Sequence, residues 1–348
     1  MTMNNNFLNN LLNSISVSGY EEQVQDIVEE EMKDYVDEVR RDEMQNVTCV
    51  INPNSDIRIM LSAHADEIGL MISNIREDGR LQVIDRGGIV PSTYPGHAIS
   101  IKTSKGIVYG VVEAYRELFK EKDLGTKQFR IDIGAKDRED ALSYVSIGDP
   151  IVLDTTIRKL ANDKFTARAL DDRLGVYIIM EAIKRAKKQG CTVGVYAAST
   201  TGEETTKTGA YWTSTRINPS MAIVVDVTYT SDCSGMDPAE MGTVLLGGGP
   251  VLCNSPIVVK ALNTKMEECA KTAGIQIQRE AASRLSYTDG DKIHFSNQGV
   301  PTVLVSIPLR YMHMPAEVAD EKDVEGFDEF IKQYQKGLAL ERVAIDVM

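Results

Sequence analysis

The sequence has no hydrophobic run that could cross a bilayer and no basic segment at its start. Its apolar runs, such as residues 222–225, have strand length, far short of the roughly 18 residues of a membrane helix. The first basic residue is Lys33, so the opening MTMNNNFLNN lacks the charged region of a secretory signal. We therefore expect no membrane partner and no export.

Cysteines are few and odd in number, and no two of them form a C-x-x-C pair. They are Cys49, Cys191, Cys233, Cys253 and Cys269. Widely spaced single cysteines are typical of buried thiols in a reducing compartment, not of a disulfide framework or a cysteine zinc site. The sequence thus predicts a cytoplasmic protein.

Basic residues are also in the minority. Lys and Arg number 38 against 51 Asp and Glu, which gives a net charge of −13 and makes nucleic acid an unlikely partner, because its phosphates require clustered cations. The 43% hydrophobic and 26% charged residues are ordinary globular values. At roughly 150 residues per domain, the 348 residues suggest about two domains.

Short apolar segments rich in β-branched residues predict the strands of a buried sheet. They cover residues 47–51, 57–63, 192–198, 222–227 and 302–307. Helical patterns lie between or beside them. One begins with the capping-box pattern Ser18-Gly-Tyr-Glu21, and another starts near Leu174 and ends at Gly190. A third carries Val324, Phe327, Phe330, Ile331, Tyr334 and Leu338 on one face. This alternation predicts an α/β domain.

The stretch from residue 71 to residue 160 has a different pattern. Its short strands, such as LQVIDR and HAISIKT, are separated by Gly and Asp and show little helical period. We predict a small all-β module, a barrel or sandwich, inserted into an α/β domain formed by residues 1–70 and 161–348.

Ionisable residues follow several of the predicted strands. They are His64 and Asp66, the pair Glu203-Glu204, Asp226, and His313, and the pair Asp171-Asp172 opens the helix after the β module. Functional groups of an open α/β sheet collect at the carboxyl ends of its strands. Imidazole and carboxylate donors suit borderline divalent metals such as Zn, Co or Mn. Singly, each of these residues is also compatible with a helix cap or a solvated loop; together they indicate a metal site.

Five motifs resemble, in order and spacing, those of the glutamyl/tetrahedral aminopeptidases, which are dinuclear metallo-exopeptidases. The motifs are His64-Ala-Asp66-Glu-Ile-Gly69, Ala169-Leu-Asp171-Asp172-Arg173, Glu203-Glu204, Val225-Asp226-Val-Thr228 and Arg310-Tyr-x-His313. The resemblance covers nearly the whole chain. It implies a mixed-sheet, zinc-exopeptidase-like α/β domain with an inserted all-β domain of barrel or PDZ-like form.

The resemblance also implies a role for each site residue. Asp171 would bridge two divalent metal ions per subunit, His64 and Asp226 would complete one site, and Glu204 and His313 the other. Asp66 would orient the His64 ring, and Glu203 would be the general base. Asp172 would follow the bridging carboxylate, where relatives often have an unusual peptide geometry.

The expected activity is removal of N-terminal residues from short peptides by an assembly of identical subunits, often twelve. The chain departs from the family pattern at Ser286-Tyr-Thr-Asp289-Gly290, at Met314 after the distal histidine, and at the Thr-Thr-Lys that follows Glu204. None of these positions is an expected ligand, and all are expected to line the substrate pocket.

Two alternatives remain open on the sequence. The same metal pair could act on N-acylated amino acids or as a carboxypeptidase, or the chain could be a non-catalytic scaffold of this fold. A glycosidase is disfavoured because it needs two carboxylates flanking a sugar and no metal pair.

Overall fold

A computed structural model describes residues 5–326 of the chain. Within them, strands form an eight-stranded mixed sheet, a closed six-stranded barrel and a small three-stranded sheet. The expected fold class, α/β with a mixed sheet and an all-β barrel, is confirmed. No helix in this part of the chain combines the length and the apolarity needed to cross a bilayer.

The strands in chain order are β1 (Glu38–Arg41), β2 (Val47–Ile51), β3 (Arg58–His64), β4 (Gly69–Ile75), β5 (Leu81–Arg86), β6 (Ala98–Thr103), β7 (Gly106–Val112), β8 (Ile131–Asp132), β9 (Pro150–Leu153), β10 (Arg158–Lys159), β11 (Lys164–Ala167), β12 (Gly194–Thr200), β13 (Met221–Tyr229), β14 (Val251–Asn254), β15 (Gln278–Ala281), β16 (Thr302–Leu309) and β17 (Glu317–Asp320). The α-helices are α1 (Asn6–Asn13), α2 (Glu22–Met32), α3 (Arg138–Tyr144), α4 (Leu170–Lys188), α5 (Thr208–Ile217), α6 (Pro238–Met241), α7 (Lys260–Ala273) and α8 (Gly290–Ile293).

The large sheet has the strand order β1-β2-β12-β3-β13-β16-β14-β15. Its four central strands, β12, β3, β13 and β16, run parallel to one another, whereas β2 and β14 pair antiparallel with their central neighbours. Parallel strands end at the same edge of a sheet. The segments that follow β3, β12 and β16 therefore meet at one edge, together with the end of β13.

Alternate residues of the central strands pack into two apolar layers. Leu61 belongs to the layer shared with α1, α2, α4 and α7, and its neighbour Met60 belongs to the layer shared with α5 and α8. This alternation follows from the strand period of two. Both faces of the sheet are covered, which explains why its strands are continuous apolar runs.

All five strands predicted for the large sheet are present, with ends shifted by a few residues. The predicted helix that ends at Gly190 corresponds to α4, whose first turn contains the non-helical residues Asp171 and Asp172. The predicted helix carrying Phe327 to Leu338 lies outside the described residues, apart from the helical segment 321–326.

The first predicted helix is present as α2, but it begins later than expected. The capping-box pattern at Ser18 does not start a helix: the Ser18 hydroxyl contacts Thr205 Oγ1 at 2.8 Å, and α2 begins only at Glu22. Gly19, with φ of +92°, lies in the turn between them. Sequence reasoning also missed α1, which the Asn5 side chain caps by accepting hydrogen bonds from two backbone N–H groups.

The barrel consists of β4, β5, β8, β7, β6 and β9 in that order around its wall. Its interior is apolar, with Leu70, Ile99, Phe129 and Ile151 fully buried. The described strands of the barrel thus run from Gly69 to Leu153. The division of the chain into domains at residues 70 and 160 stays a prediction.

Arg173, on the first turn of α4, joins three elements near the sheet edge. The guanidinium is fully buried and donates hydrogen bonds to the carbonyl oxygens of Leu11, Ser14 and Ala65 and, at 2.7 Å, to the Glu67 carboxylate. Arg168 also pairs with Glu67. Removing one partner of such a buried, fully hydrogen-bonded ion pair strongly destabilises a protein, because the other charge stays buried without compensation.

We expect Arg173→Met to lower the free energy of unfolding by about 3–5 kcal/mol, because it leaves buried polar groups without their partner. Urea unfolding at one protein concentration measures this. The matched control is Arg216→Met, which removes a half-exposed guanidinium paired with Asp42 and Glu43 and should cost less than about 1 kcal/mol. An equal decrease in the free energy of unfolding in the two variants would show that the buried contacts of Arg173 do not stabilise the fold as proposed.

Candidate metal centre

The carboxyl edge of the large sheet brings the predicted site residues together. His64 is the last residue of β3, Glu203 and Glu204 follow β12, and His313 lies shortly after β16. Asp226 lies within β13, which continues beyond it to Tyr229. Asp171 reaches the same place from the start of α4.

Asp171 lies at the middle of the cluster. Its Oδ1 is 3.0 Å from His64 Nε2, and its Oδ2 is 3.2 Å from His313 Nε2. Glu204 Oε1 is 3.4 Å from His313 Nε2, and Asp226 Oδ1 is 4.0 Å from His64 Nε2. The two oxygens of one carboxylate thus face two different histidines.

Three groups of side chains have donor atoms close enough to hold a metal ion. In each group the atoms lie within 4.8 Å of one another, and the groups are His64, Asp171 and Asp226; His64, Glu203 and Glu204; and Asp171, Glu204 and His313. The five expected ligands all belong to these groups. Imidazole and carboxylate donors in such sets suit divalent metals, so the residues fit the expected ions.

Asp66 lies behind the His64 ring and is fully buried. His64 Nδ1 is 3.2 Å from the Asp66 carbonyl oxygen and 3.5 Å from its Oδ1. The same carboxylate accepts hydrogen bonds from the backbone N–H groups of Glu203 at 3.0 Å and Glu204 at 3.1 Å. Asp66 therefore connects the orientation of the His64 ring to the segment that carries both glutamates.

Glu317 links the other two segments of the cluster. Its Oε2 accepts hydrogen bonds from the backbone N–H groups of Leu170 at 2.8 Å and Asp171 at 3.3 Å, and its Oε1 accepts one from His313 at 3.0 Å. Burial raises the pKa of Glu317 to about 8, and the charge of Asp171 adds to this effect. Sequence reasoning missed this residue, since nothing in the local pattern EVAD marks it as functional.

The barrel also contributes to this edge. His313 Nδ1 is 3.0 Å from the carbonyl oxygen of Gly88, which lies just after β5. A Cβ atom on Gly88 would lie 3.1 Å from His313 Nδ1, and one on Gly87 would lie 3.2 Å from the Glu204 Cβ. The barrel backbone thus comes so close to two expected ligands that glycine fits best at these two positions.

Asp172 follows Asp171 across a cis peptide bond. Its carboxylate is fully buried and accepts hydrogen bonds from the N–H groups of Gly175 at 3.1 Å and His64 at 3.3 Å. A Cβ on Gly175 would come within 2.4 Å of both carboxylate oxygens. Asp172 thus connects the first turn of α4 to the end of β3.

The charges of the cluster shift several pKa values in opposite directions. Burial and the charge of Asp171 raise the pKa of Asp226 to about 8, against the effect of His64. Burial alone would raise the pKa of Asp171, but hydrogen bonds from His313 and His64 hold it below its usual range. Burial opposes protonation of His313, yet its bonds to Asp171 and Glu204 raise its pKa to about 12. The crowded carboxylates therefore stabilise cations that lie between them, such as a protonated histidine or a metal ion.

Glu203 and Glu204 are neighbours in sequence with different surroundings. Glu204 faces His313, whereas Glu203 places Oε1 against Lys207 Nζ and Oε2 3.8 Å from His64 Nε2. Burial and the charge of Asp226 raise the pKa of Glu203 well above its usual range, although His64 and Lys207 oppose them. The sequence singled out Lys207 only as a departure from the family pattern.

A pocket next to the cluster reaches from the large sheet to the barrel. Its lining includes Asp171, Glu204, His313 and Met314 from the α/β part of the chain and Tyr94 and Leu153 from the barrel. Met314 therefore lines a cavity beside the cluster, as expected. A substrate side chain in this pocket would contact both the expected ligands and the barrel.

Comparisons with known proteins identify the family to which this chain belongs. A family model described as M42 glutamyl aminopeptidase matches residues 45–330. The chain is 33% identical over 325 residues to a lysyl aminopeptidase of Pyrococcus furiosus, covering 90% of this chain and 92% of the relative.

Two solved structures are similar over nearly the whole chain. A TET aminopeptidase from a marine-sediment Thaumarchaeota archaeon is 30% identical with a TM-score of 0.91, covering 98% of this chain and 97% of its own. The Pyrococcus horikoshii TET1 peptidase, described as assembling into a tetrahedron or a large octahedral shell, is 30% identical with a TM-score of 0.84, covering 94% and 97%. The chain therefore belongs to the M42 glutamyl aminopeptidase family and is a peptide-bond hydrolase.

Proposed function

We propose that this protein is a metal-dependent aminopeptidase that removes N-terminal residues from short peptides, with two divalent metal ions per subunit. The observation that carries this proposal is the convergence of five buried or half-buried donors with one further carboxylate, Glu203, at one sheet edge. The two oxygens of Asp171 face different histidines, which supports a bridging role for this carboxylate.

The residues would divide between the two ions. Asp171 with His64 and Asp226 would hold one ion, and Asp171 with Glu204 and His313 would hold the other. When bound, such ions can lower the pKa of water toward about 7 and polarise a substrate carbonyl. Zn, Co and Mn all accept this donor set.

Glu203 is the general base in this proposal. Its Oε2 faces the cluster, so it can accept a proton from the attacking water and later donate it to the nitrogen of the leaving amine. Asp66 holds the Glu203 backbone and the His64 ring in fixed relation, which keeps the base beside the donors.

We further propose that the active form is a homo-oligomer, up to the twelve subunits expected from the sequence. The outward face of β7 presents Ile107, Tyr109 and Val111, which are 44%, 66% and 46% exposed. Contiguous apolar surface of this kind is typical of protein interfaces. The shells described for the Pyrococcus horikoshii relative support association of identical copies.

The expected effect of Glu203→Gln is a fall in kcat of at least about 100-fold, because the amide has the same shape but cannot accept the proton. Metal affinity, measured by competition with a chromophoric chelator, should stay close to that of the wild type. Glu240→Gln on the exposed helix α6 is the matched control and should keep normal kinetics. A Glu203→Gln enzyme with the wild-type rate would show that another group is the base.

Substrate choice separates the proposed activity from its alternatives. Aminoacyl-p-nitroanilides assayed with Zn, Co and Mn should be hydrolysed, their N-acetylated counterparts much more slowly, and EDTA should abolish turnover of both. Release of acetate from the N-acetylated compounds would favour a deacylase, and no turnover of any compound would favour a scaffold.

Tyr109→Lys should shift the mass distribution toward smaller species, because it places a charge in the middle of the apolar face of β7. Sedimentation velocity at several protein concentrations measures this shift. Tyr35→Lys, at a residue that is 50% exposed next to α2, is the matched control and should leave the mass unchanged. Wild-type assembly by the Tyr109→Lys variant would place the interface elsewhere.

A further inference from the structure

We propose that Lys207 is a positioning residue that holds Glu203 in the role of base and prevents it from becoming a metal ligand. Lys207 Nζ contacts Glu203 Oε1, and it also donates to the carbonyl oxygens of Tyr287 at 3.1 Å and Glu203 at 3.4 Å. The inference rests on the proposed function of Glu203. It goes beyond that function by assigning a task to a residue outside the expected catalytic set.

Glu203 needs such a partner because its carboxylate can also bind metal. One of its oxygens stands with His64 and Glu204 in a group whose donor atoms lie within 4.8 Å of one another. A carboxylate that binds an ion through both oxygens has neither of them free to accept a proton. The ammonium of Lys207 on Oε1 would compete with a metal ion for that oxygen, since both are cations.

The local backbone places Lys207 in this position. The N–H groups of Thr206 and Lys207 donate to the Gly202 carbonyl at 2.9 and 2.7 Å, which closes a turn around the two glutamates. Lys207 has a φ of +56° and is the residue before α5. Its side chain is 21% exposed, and it returns across the turn to the carboxylate four residues earlier.

The contact with Tyr287 fixes the other side of the ammonium. Tyr287 also has a positive φ, of 60°, and its N–H donates to Asp291 Oδ2 at 2.9 Å. The segment that carries this carbonyl is thereby held to the start of α8. Lys207 thus joins the glutamate turn to a second, independently held segment.

An ammonium at the mouth of a peptidase site could instead bind a substrate carboxylate. A lysine ammonium has three N–H donors. Among residues 5–326, three oxygens lie within hydrogen-bond distance of it, two from Glu203 and one from Tyr287. No donor is left for a substrate, so the geometry points to positioning of Glu203.

The test compares Lys207→Met, which keeps the length of the stem and removes the charge, with Lys207→Arg, which keeps a cation. For the methionine variant we expect kcat to fall by about 10- to 100-fold with little change in KM. A displaced base slows the proton transfer but leaves the contacts that bind the substrate in place. Metal affinity, measured by chelator competition, should increase as Glu203 becomes a ligand. Lys207→Arg should recover part of the rate and the wild-type metal affinity.

The double variant Lys207→Met/Glu203→Gln shows whether Lys207 acts through Glu203. If it does, the lysine change should cause no further loss of rate and no gain in metal affinity once Glu203 is an amide. Lys33→Met, at an exposed ion pair with Glu30, is the surface control. If Lys207→Met does not fold, Lys207→Gln provides the same comparison with a polar side chain.

The outcomes separate the inference from the function on which it rests. Wild-type kcat and metal affinity in Lys207→Met, with Glu203→Gln inactive, would overturn the role of Lys207 and leave the proposed base intact. Full activity of Glu203→Gln would overturn the proposed function itself. An increase in KM without a fall in kcat would show that Lys207 binds substrate and would also overturn the inference.

Discussion

The structure depends on the close approach of buried carboxylates at one edge of the large sheet. Asp171, Asp172, Glu203 and Asp226 all lie within the same buried region, and their charges repel one another. Burial makes each charge costly, and proximity adds to the cost, which is why the pKa of Asp226 rises to about 8. Such an arrangement persists only where cations or hydrogen-bond donors compensate it; the two histidines contribute to this, and the proposed metal ions would do so when bound.

Two further buried carboxylates at this edge, those of Asp66 and Glu317, are compensated by backbone N–H groups. Asp66 accepts them from both glutamates, Glu317 accepts them from Asp171 and His313, and both carboxylates are buried. Such bonds do not compete with metal ions for the donor atoms of the ligands. They instead fix the segments on which the ligands stand, so the geometry of the centre is built into the packing of β3, α4 and β17.

Local pattern was enough to predict the central strands and the residues at their ends. Strands such as β3 and β16 are apolar because both faces of the sheet are covered, and His64 and His313 were recognisable because one ends such a strand and the other comes shortly after one. Helix α1 was missed because its apolar residues are interleaved with asparagines, and Ser18 was misjudged because its hydroxyl binds Thr205, far away in sequence. Glu317 was not foreseen for the same reason: its partners come from two segments that only the fold brings together.

The barrel contacts the proposed metal ligands directly, which a domain that served only for assembly would not have to do. The Gly88 carbonyl contacts His313 Nδ1, which leaves Nε2 facing Asp171 and Glu204, where a metal ligand would have its lone pair. Gly87 lets the same turn pass beside Glu204. A shift of the barrel relative to the sheet would therefore move the hydrogen bond that orients one proposed ligand. If subunits associate through the barrel, as we propose, their contacts would constrain this bond, and assembly would then influence the position of one proposed ligand.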